Sequence, residues 1–164
     1  PTHVTRSRKL MEDAFAFARK GGYIDMTCGS KGESAPSLCV MRAKEQGVPM
    51  QNITFSSDGM GSWSTYDEAG NLLRIGYSAV DTVYQEIKRL VQEYKMPLEE
   101  ALCFGTSNTA RALEIERKKG HIAPGMDADL LLMDEDLTMN TGIAGGQIMM
   151  ENHVLLKKGT YEAE

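Results

Sequence analysis

Long apolar runs are missing from this 164-residue chain. None approaches the roughly 18 to 20 residues that span a bilayer, so no membrane partner is expected. The start, Pro1 to Lys9, is polar and basic, without the apolar stretch of a secretory signal. An excess of positive charge is missing too. The chain has 18 Lys and Arg against 23 Asp and Glu, a net charge of −5, and a pI near 5.3. Phosphate backbones are bound by basic faces, so nucleic acid is not an expected partner. Cysteine is scarce: Cys28, Cys39 and Cys103 are odd in number and form no C-x-x-C pair. That argues against a disulfide framework or a four-cysteine zinc site. Buried free thiols in a reducing cytoplasm are expected instead. Histidine is equally sparse, with three residues and no His-x-His pair.

What is present is ordinary for a globular domain. The apolar fraction of 41% and charged fraction of 25% sit near the average, and the length allows a real core. Eleven methionines have the flexible thioether suited to filling core gaps.

The apolar spacing alternates between helix and strand. Leu10, Met11, Ala14, Phe15 and Ala18 mark a helix face, stopped by Gly21 and Gly22. Tyr23 to Thr27 reads as a short buried strand. Ser34 to Gln46 reads as a helix with Pro36 in its first turn. Ile53 to Ser56 is a second strand, followed by a polar, glycine-rich run from Ser57 to Ser64. Asp67 to Asn71 is a turn. Val80, Val83, Tyr84, Ile87, Leu90, Val91 and Tyr94 predict a helix, with Ser78 and Asp81 spaced as a capping box in which Asp replaces Glu. Pro97 separates it from a helix over Leu98 to Phe104, and another covers about Asn108 to Glu116. Beyond Gly120 the runs Asp129 to Asp134, Gly146 to Glu151 and Asn152 to Lys157 read as short strands divided by turns.

This order implies an α/β part up to about Lys119 and a β-rich tail over 120–164. Helix and strand alternation suggests βα units on a parallel sheet. Three such units cannot close an eight-stranded barrel, which takes about 250 residues. The α/β part is therefore an open sandwich or a piece of a barrel.

Two residues stand out chemically. His3 is placed at the C-terminal end of a strand, although a lone histidine is more often a surface or core residue than a ligand. His121 and His153 have no supporting motif and are read as structural. Asp58, in Ser56-Ser57-Asp58-Gly59-Met60-Gly61-Ser62, follows a buried β-run. Acid plus glycine is ordinary turn chemistry. At the end of a barrel strand, however, an aspartate faces the active site and can ligate a metal or carry a proton. The gap from His3 to Asp58 accommodates two βα units. The most specific run, Lys119-Gly120-x-Ile122-x-Pro124-Gly125-x-Asp127-Ala128-Asp129-Leu130, is turn and strand chemistry, and its acids are not read as catalytic.

That last run is similar to the one closing most amidohydrolase-superfamily chains, where the polypeptide leaves the barrel and completes a small β-sandwich. Within the superfamily, Pro1-Thr2-His3-Val4-x-Arg6, Phe17-Ala18-Arg19-Lys20-Gly21-Gly22-x-Ile24-Asp25, the Ser56 to Ser62 loop, Glu68-x-Gly70-Asn71-Leu72 and Ile75-Gly76 resemble isoaspartyl (β-aspartyl) dipeptidases. The resemblance runs from Pro1 to about Tyr161, and several motifs in register are far more specific than one. It implies a fold: the C-terminal part, about three βα units, of a TIM-type barrel, followed by a β-rich tail of the sandwich domain. It also implies roles. His3 would ligate one zinc of a binuclear pair. Asp58 would ligate the other and move the proton from the bridging hydroxide to the leaving amine. Arg6 would bind a substrate carboxylate through its forked guanidinium, and Ser62 would hydrogen-bond the isoaspartyl end. The substrate would be a small isoaspartyl dipeptide.

The family's His-x-His pair, bridging lysine and fifth-strand histidine have no counterpart in this sequence. One histidine and one aspartate cannot hold two zinc ions that each need about four ligands, so the chain alone is expected to be inactive. A part-barrel exposes strand edges and inner apolar faces, which predicts a homo-oligomer or a complementing N-terminal half. Rival readings are another amidohydrolase of dihydroorotase or hydantoinase type, which Arg6 and the Ser62 loop oppose, and a non-catalytic structural module, which the missing ligands favour. A Pro1 base of tautomerase type is remote.

Overall fold

The computed structural model describes residues 1–159. The last five residues of the expected tail, 160–164, lie outside the described residues. A single 3-10 turn, Val4–Arg6, leads into α1 (Arg8–Arg19). Ser7 starts this helix by accepting the Leu10 N–H on its hydroxyl at 3.3 Å, which satisfies one of the orphan donors of a helix start. Met11, Ala14, Phe15 and Ala18 are buried, as their spacing requires, while Leu10 faces solvent. At the far end Gly21 takes a φ of +92°. The Gly21 and Gly22 amides then donate to Ala18 and Phe17, the double closure that a left-handed glycine permits.

Strands β1 (Ile24–Thr27) and β2 (Ile53–Ser56), joined through α2 (Pro36–Glu45), form a parallel pair in the register Ile24 to Ile53 and Thr27 to Ser56. Pro36 occupies the first turn of α2, as expected. One face of the pair carries Ile24, Met26, Ile53 and Phe55, all buried in the core with Phe15, Val40, Leu90 and Phe104. Phe55 and Phe104 stack with ring centroids 5.1 Å apart. Burying side chains of this size contributes about 1.5–3 kcal/mol each. The opposite face carries Asp25, Thr27, Thr54 and Ser56, because side chains alternate along a strand.

The expected strand ending at His3 is not formed. The Pro1 carbonyl accepts the Asp25 N–H at 2.9 Å, the start of a ladder beside β1. His3 then turns to a left-handed φ of 55° and heads the 3-10 turn, which ends the extended run. The described residues thus contain two parallel strands.

The glycine-rich stretch after β2 differs from the expected loop. It opens into an antiparallel hairpin, β3 (Ser62–Tyr66) and β4 (Leu72–Tyr77), around the anticipated turn. Asp67 Oδ1 accepts the Ala69 and Asn71 amides at 2.9 and 2.8 Å. The capping box is also not formed. Helix α3 (Thr82–Gln92) follows Asp81, which makes no side-chain cap, and Ser78 instead closes the hairpin base by donating its N–H to Gly61 and accepting that of Met60. Ile87 and Leu90 of α3 are buried, whereas Val80 lies outside the helix and is exposed.

Helices α4 (Leu98–Cys103) and α5 (Ser107–Ala112) complete the helical layer. An antiparallel sheet follows in the order β5 (Leu130–Met133), β6 (Met139–Ala144), β7 (Gln147–Glu151) and β8 (Val154–Leu155). Strand β6 is additional to the runs read from sequence. The sheet's β5–β6 turn docks on α3, where the Tyr84 hydroxyl donates to the Leu137 carbonyl and the Gln92 amide donates to that of Asp136 at 2.9 Å. Of the methionines, Met11, Met26 and Met96 fill the core, while Met60 is exposed. Among the described residues no helix is long and apolar enough to cross a membrane.

Candidate active site

The polar face of the parallel pair is organised around one carboxylate. Asp25 Oδ2 accepts the Thr2 hydroxyl at 2.7 Å and the Ser56 hydroxyl at 2.6 Å. Its Oδ1 accepts the Thr54 hydroxyl at 2.9 Å. Thr27 Oγ1 stands 3.4 Å from Thr2 Oγ1. Hydrogen bonds to an ionised acceptor are shorter and stronger than neutral ones, and the first two have that length. Sequence reasoning does not single out Asp25 as a site residue; the signal was an acid between Ile24 and Met26 in a buried run.

His3 and Asp58 extend from this cluster. His3 follows Thr2 directly, and Asp58 lies two residues beyond Ser56. The Ser57 to Gly61 loop is tight. Gly61 donates its N–H to the Asp58 carbonyl at 2.8 Å, and a Cβ on Gly61 would stand 2.8 Å from both that oxygen and Asp58 Oδ1. The Asp58 carboxylate is therefore folded back over the glycine. Ser57 Oγ accepts the Gly59 amide at 3.1 Å. Both candidate ligands are left-handed, with φ of 55° at His3 and 50° at Asp58, at a cost of about 1–2 kcal/mol each. Among the described residues six other non-glycine residues share that conformation, so strain alone does not select the site.

Asp58 is exposed and His3 half-buried, and no hydrogen bond joins the two side chains. Arg6, at the end of the 3-10 turn, is exposed, and its guanidinium has no partner among the described residues. Ser62 begins β3 and pairs across the hairpin with Tyr77. His121 and His153 lie elsewhere. His153 meets Asp134 at 3.2 Å and sits 3.0 Å from the Met139 carbonyl through Nδ1, a strand-end contact. The acids of the glycine-rich run after α5 hold Lys119, with Asp127 at 3.0 Å and Asp129 on the same ammonium.

Among the described residues no group of three or more His, Cys, Asp or Glu side chains could hold a metal ion. His3 and Asp58 are two donors against the roughly four that each zinc requires. The residues present do not fit a binuclear zinc centre by themselves. Cavities of about 480 and 420 Å³ open between the helices and the antiparallel sheet, lined by apolar residues such as Leu102, Leu131 and Met133. Neither includes His3, Arg6, Asp58 or Ser62.

Residues 38–159 match the amidohydrolase family. A β-aspartyl dipeptidase from Fervidobacterium islandicum AW-1, solved with a β-Asp-Leu dipeptide, is 37% identical with a TM-score of 0.84. The alignment covers 99% of this chain and 42% of that one. A second structure of that organism's β-aspartyl dipeptidase is 35% identical with a TM-score of 0.79, covering 99% and 40%. N-acetylglucosamine-6-phosphate deacetylase from Pasteurella multocida shares the fold at 21% identity and a TM-score of 0.59, covering 79% and 37%. This chain thus spans about two fifths of the length of the dipeptidases it resembles. The family match over residues 38–159 and the 37% identity over 99% of the chain show that the chain belongs to the amidohydrolase family.

Proposed function

We propose that this chain is the C-terminal part of a zinc-dependent isoaspartyl dipeptidase that hydrolyses the β-aspartyl isopeptide bond of small dipeptides in the cytoplasm. The observation that carries the reading is the likeness to a β-aspartyl dipeptidase over 99% of the chain at 37% identity. In this reading residues 1–119 are the last part, about three βα units, of a TIM-type barrel, and 120–164 belong to the sandwich domain. His3 and Asp58 are zinc ligands, with Asp58 also the proton carrier. Arg6 receives a substrate carboxylate, for which a free, exposed guanidinium is suited, and Ser62 binds the isoaspartyl end.

The chain by itself does not perform the reaction. Its donor set falls short of a binuclear centre, so no catalytic step is assigned to it alone. The missing ligands come from an N-terminal half, supplied by the same gene or by a complementing polypeptide. Exposed apolar residues on the hairpin, among them Leu73, Ile75 and Tyr77, are in keeping with cover from that half or from a second copy.

Two measurements test this. The isolated chain should hold well under one zinc per molecule and leave β-Asp-Leu uncleaved; near-stoichiometric zinc with turnover would overturn the assignment of inactivity. The codons upstream of Pro1 should encode an in-frame extension with a His-x-His pair. The extended protein should cleave β-Asp-Leu in preference to hydantoin or dihydroorotate. Preference for a cyclic amide would transfer the chain to the hydantoinase or dihydroorotase type.

A further inference from the structure

The Asp25 carboxylate is connected unevenly. Its Oδ1 serves one donor, Thr54, on the neighbouring strand. Its Oδ2 serves two, Thr2 and Ser56, which lie on chain segments far apart in sequence. Thr2 precedes His3, and Ser56 closes the strand that delivers Asp58. A carboxylate oxygen has two acceptor directions, and here both are used to join those segments. If Asp25 only reinforced the sheet, the Thr54 bond and the β1–β2 ladder would suffice.

We propose that Asp25 is a positioning residue: through Oδ2 it fixes the segments that carry His3 and Asp58 relative to one another. That meaning for His3 and Asp58 rests on the dipeptidase reading, whereas the mechanical link does not. Thr2 and Ser56 share one anchor, so displacement of either segment strains the other. Residues that must meet a common centre need this support, since reacting groups are effective only within a narrow geometric range. Asp25 itself is not placed against substrate.

The link has its own readouts. The Arg6 amide donates to the His3 carbonyl, and the Gly61 amide donates to that of Asp58, so their hydrogen exchange reports the order of each segment. The Phe55 amide, bonded to the Phe104 carbonyl at 2.9 Å, reports the sheet. In the full chain, Asp25→Ala should accelerate exchange at Arg6 and Gly61 together by about 10- to 100-fold, the range expected for losing a charged hydrogen-bond acceptor. Phe55 should keep its protection. Asp25→Asn should restore the native pattern. Its amide oxygen can take the Oδ2 position and accept both hydroxyls, while its NH2 donates to Thr54 Oγ1. Thr54→Val removes the Oδ1 donor alone and should leave Arg6 and Gly61 unchanged.

If Asp25→Ala does not fold, the separate arms decide. Thr2→Val should release Arg6 and Ser56→Ala should release Gly61, each with a smaller response at the other. The proposal is overturned if Thr54→Val acts like Asp25→Ala, if Phe55 loosens to the same degree, if Asn fails to rescue, or if neither arm releases its segment. None of these readouts uses zinc or a dipeptide. Loss of the dipeptidase reading would therefore leave the exchange pattern in place, and loss of the pattern would leave the dipeptidase assays untouched.

Discussion

Glu86 of α3 accepts the backbone N–H of Ser37 at the start of α2, with Oε2 and N 3.0 Å apart. The carboxylate is almost fully buried, and its other oxygen accepts Arg89 Nη1 at 3.0 Å. A helix start carries unsatisfied N–H groups and a partial positive charge, so this acid joins two helices by satisfying one of them. Glu86→Ala should lower unfolding stability in urea by about 2–3 kcal/mol, the range for a hydrogen bond to a charged group. Glu86→Gln, which keeps an acceptor oxygen, should cost less than half of that. The Ser37 hydroxyl is buried without a partner, so Ser37→Ala should be neutral or stabilising. Equal midpoints for wild type and Glu86→Ala would remove Glu86 from the set of structural residues.

Helix α5 supplies a second prediction. It stops at Ala112 because Glu114 takes a φ of +59°, and the Glu114 and Ile115 amides close back on Arg111 and Ala110. The same closure at α2 uses Gly47, with φ of +67° and bonds from Gly47 and Val48 to Lys44 and Ala43. A side chain in this conformation costs about 1 kcal/mol relative to glycine. Glu114→Gly should therefore raise the thermal midpoint by a few degrees, and a fall would contradict the assignment.

That comparison also explains what was legible. Helices ending in Gly21 and Gly47 stop where the sequence predicts, because glycine announces a left-handed cap. Glu114 announces nothing, and the expected helix ran on to Glu116. The hairpin was hidden for another reason. Leu73, Ile75 and Tyr77 do alternate along β4, but alternation marks a strand when one face is buried, and these residues, like Trp63 and Tyr66, are exposed. Strand β6 contains Asn140 and Gly142, both of weak β propensity, and is held by β5 and β7 on either side. At the site, His3 and Asp58 were visible as residue types with spacing. Asp25 was not, because its importance lies in three hydroxyls brought together from separate segments.

The glycine-rich run after α5 should respond to pH at both ends. Lys119, hydrogen-bonded first by Asp129 and then by Asp127, has its pKa raised. Asp129, hydrogen-bonded by Lys119 and by the Gly145 amide, is held below the usual carboxylate range. A lowered carboxylate stabilises the folded form above its unfolded pKa, roughly 4, and that contribution is lost as pH falls through the folded value. A raised lysine contributes below about pH 10 and loses its effect as pH rises through its own folded value. Exchange at the Gly145 amide, which donates to Asp129 at 2.7 Å, should thus exceed the intrinsic pH trend at both acidic and strongly basic pH. Asp129→Asn should flatten the acid limb. An acid limb of unchanged size in that variant would assign it to another carboxylate.

The thiols should divide two to one. Cys28 and Cys39 are buried, while Cys103 is partly exposed on α4. Burial is the leading cause that pushes the Cys39 thiol up to about 11, partly offset by Arg42. Burial pushes Cys28 higher still, helped by Glu86 and Asp25. The thiolate is the reacting species, so burial that pushes the Cys39 thiol up keeps it protonated at pH 8, and packing blocks access as well. A disulfide reagent should modify one thiol per native chain quickly and the other two only as the chain unfolds in urea. Cys103→Ser should abolish the fast phase without changing the slow one. Three fast thiols in the native chain would mean that α2 and β1 do not enclose Cys39 and Cys28, and the core built around Met26 and Val40 would have to be redrawn.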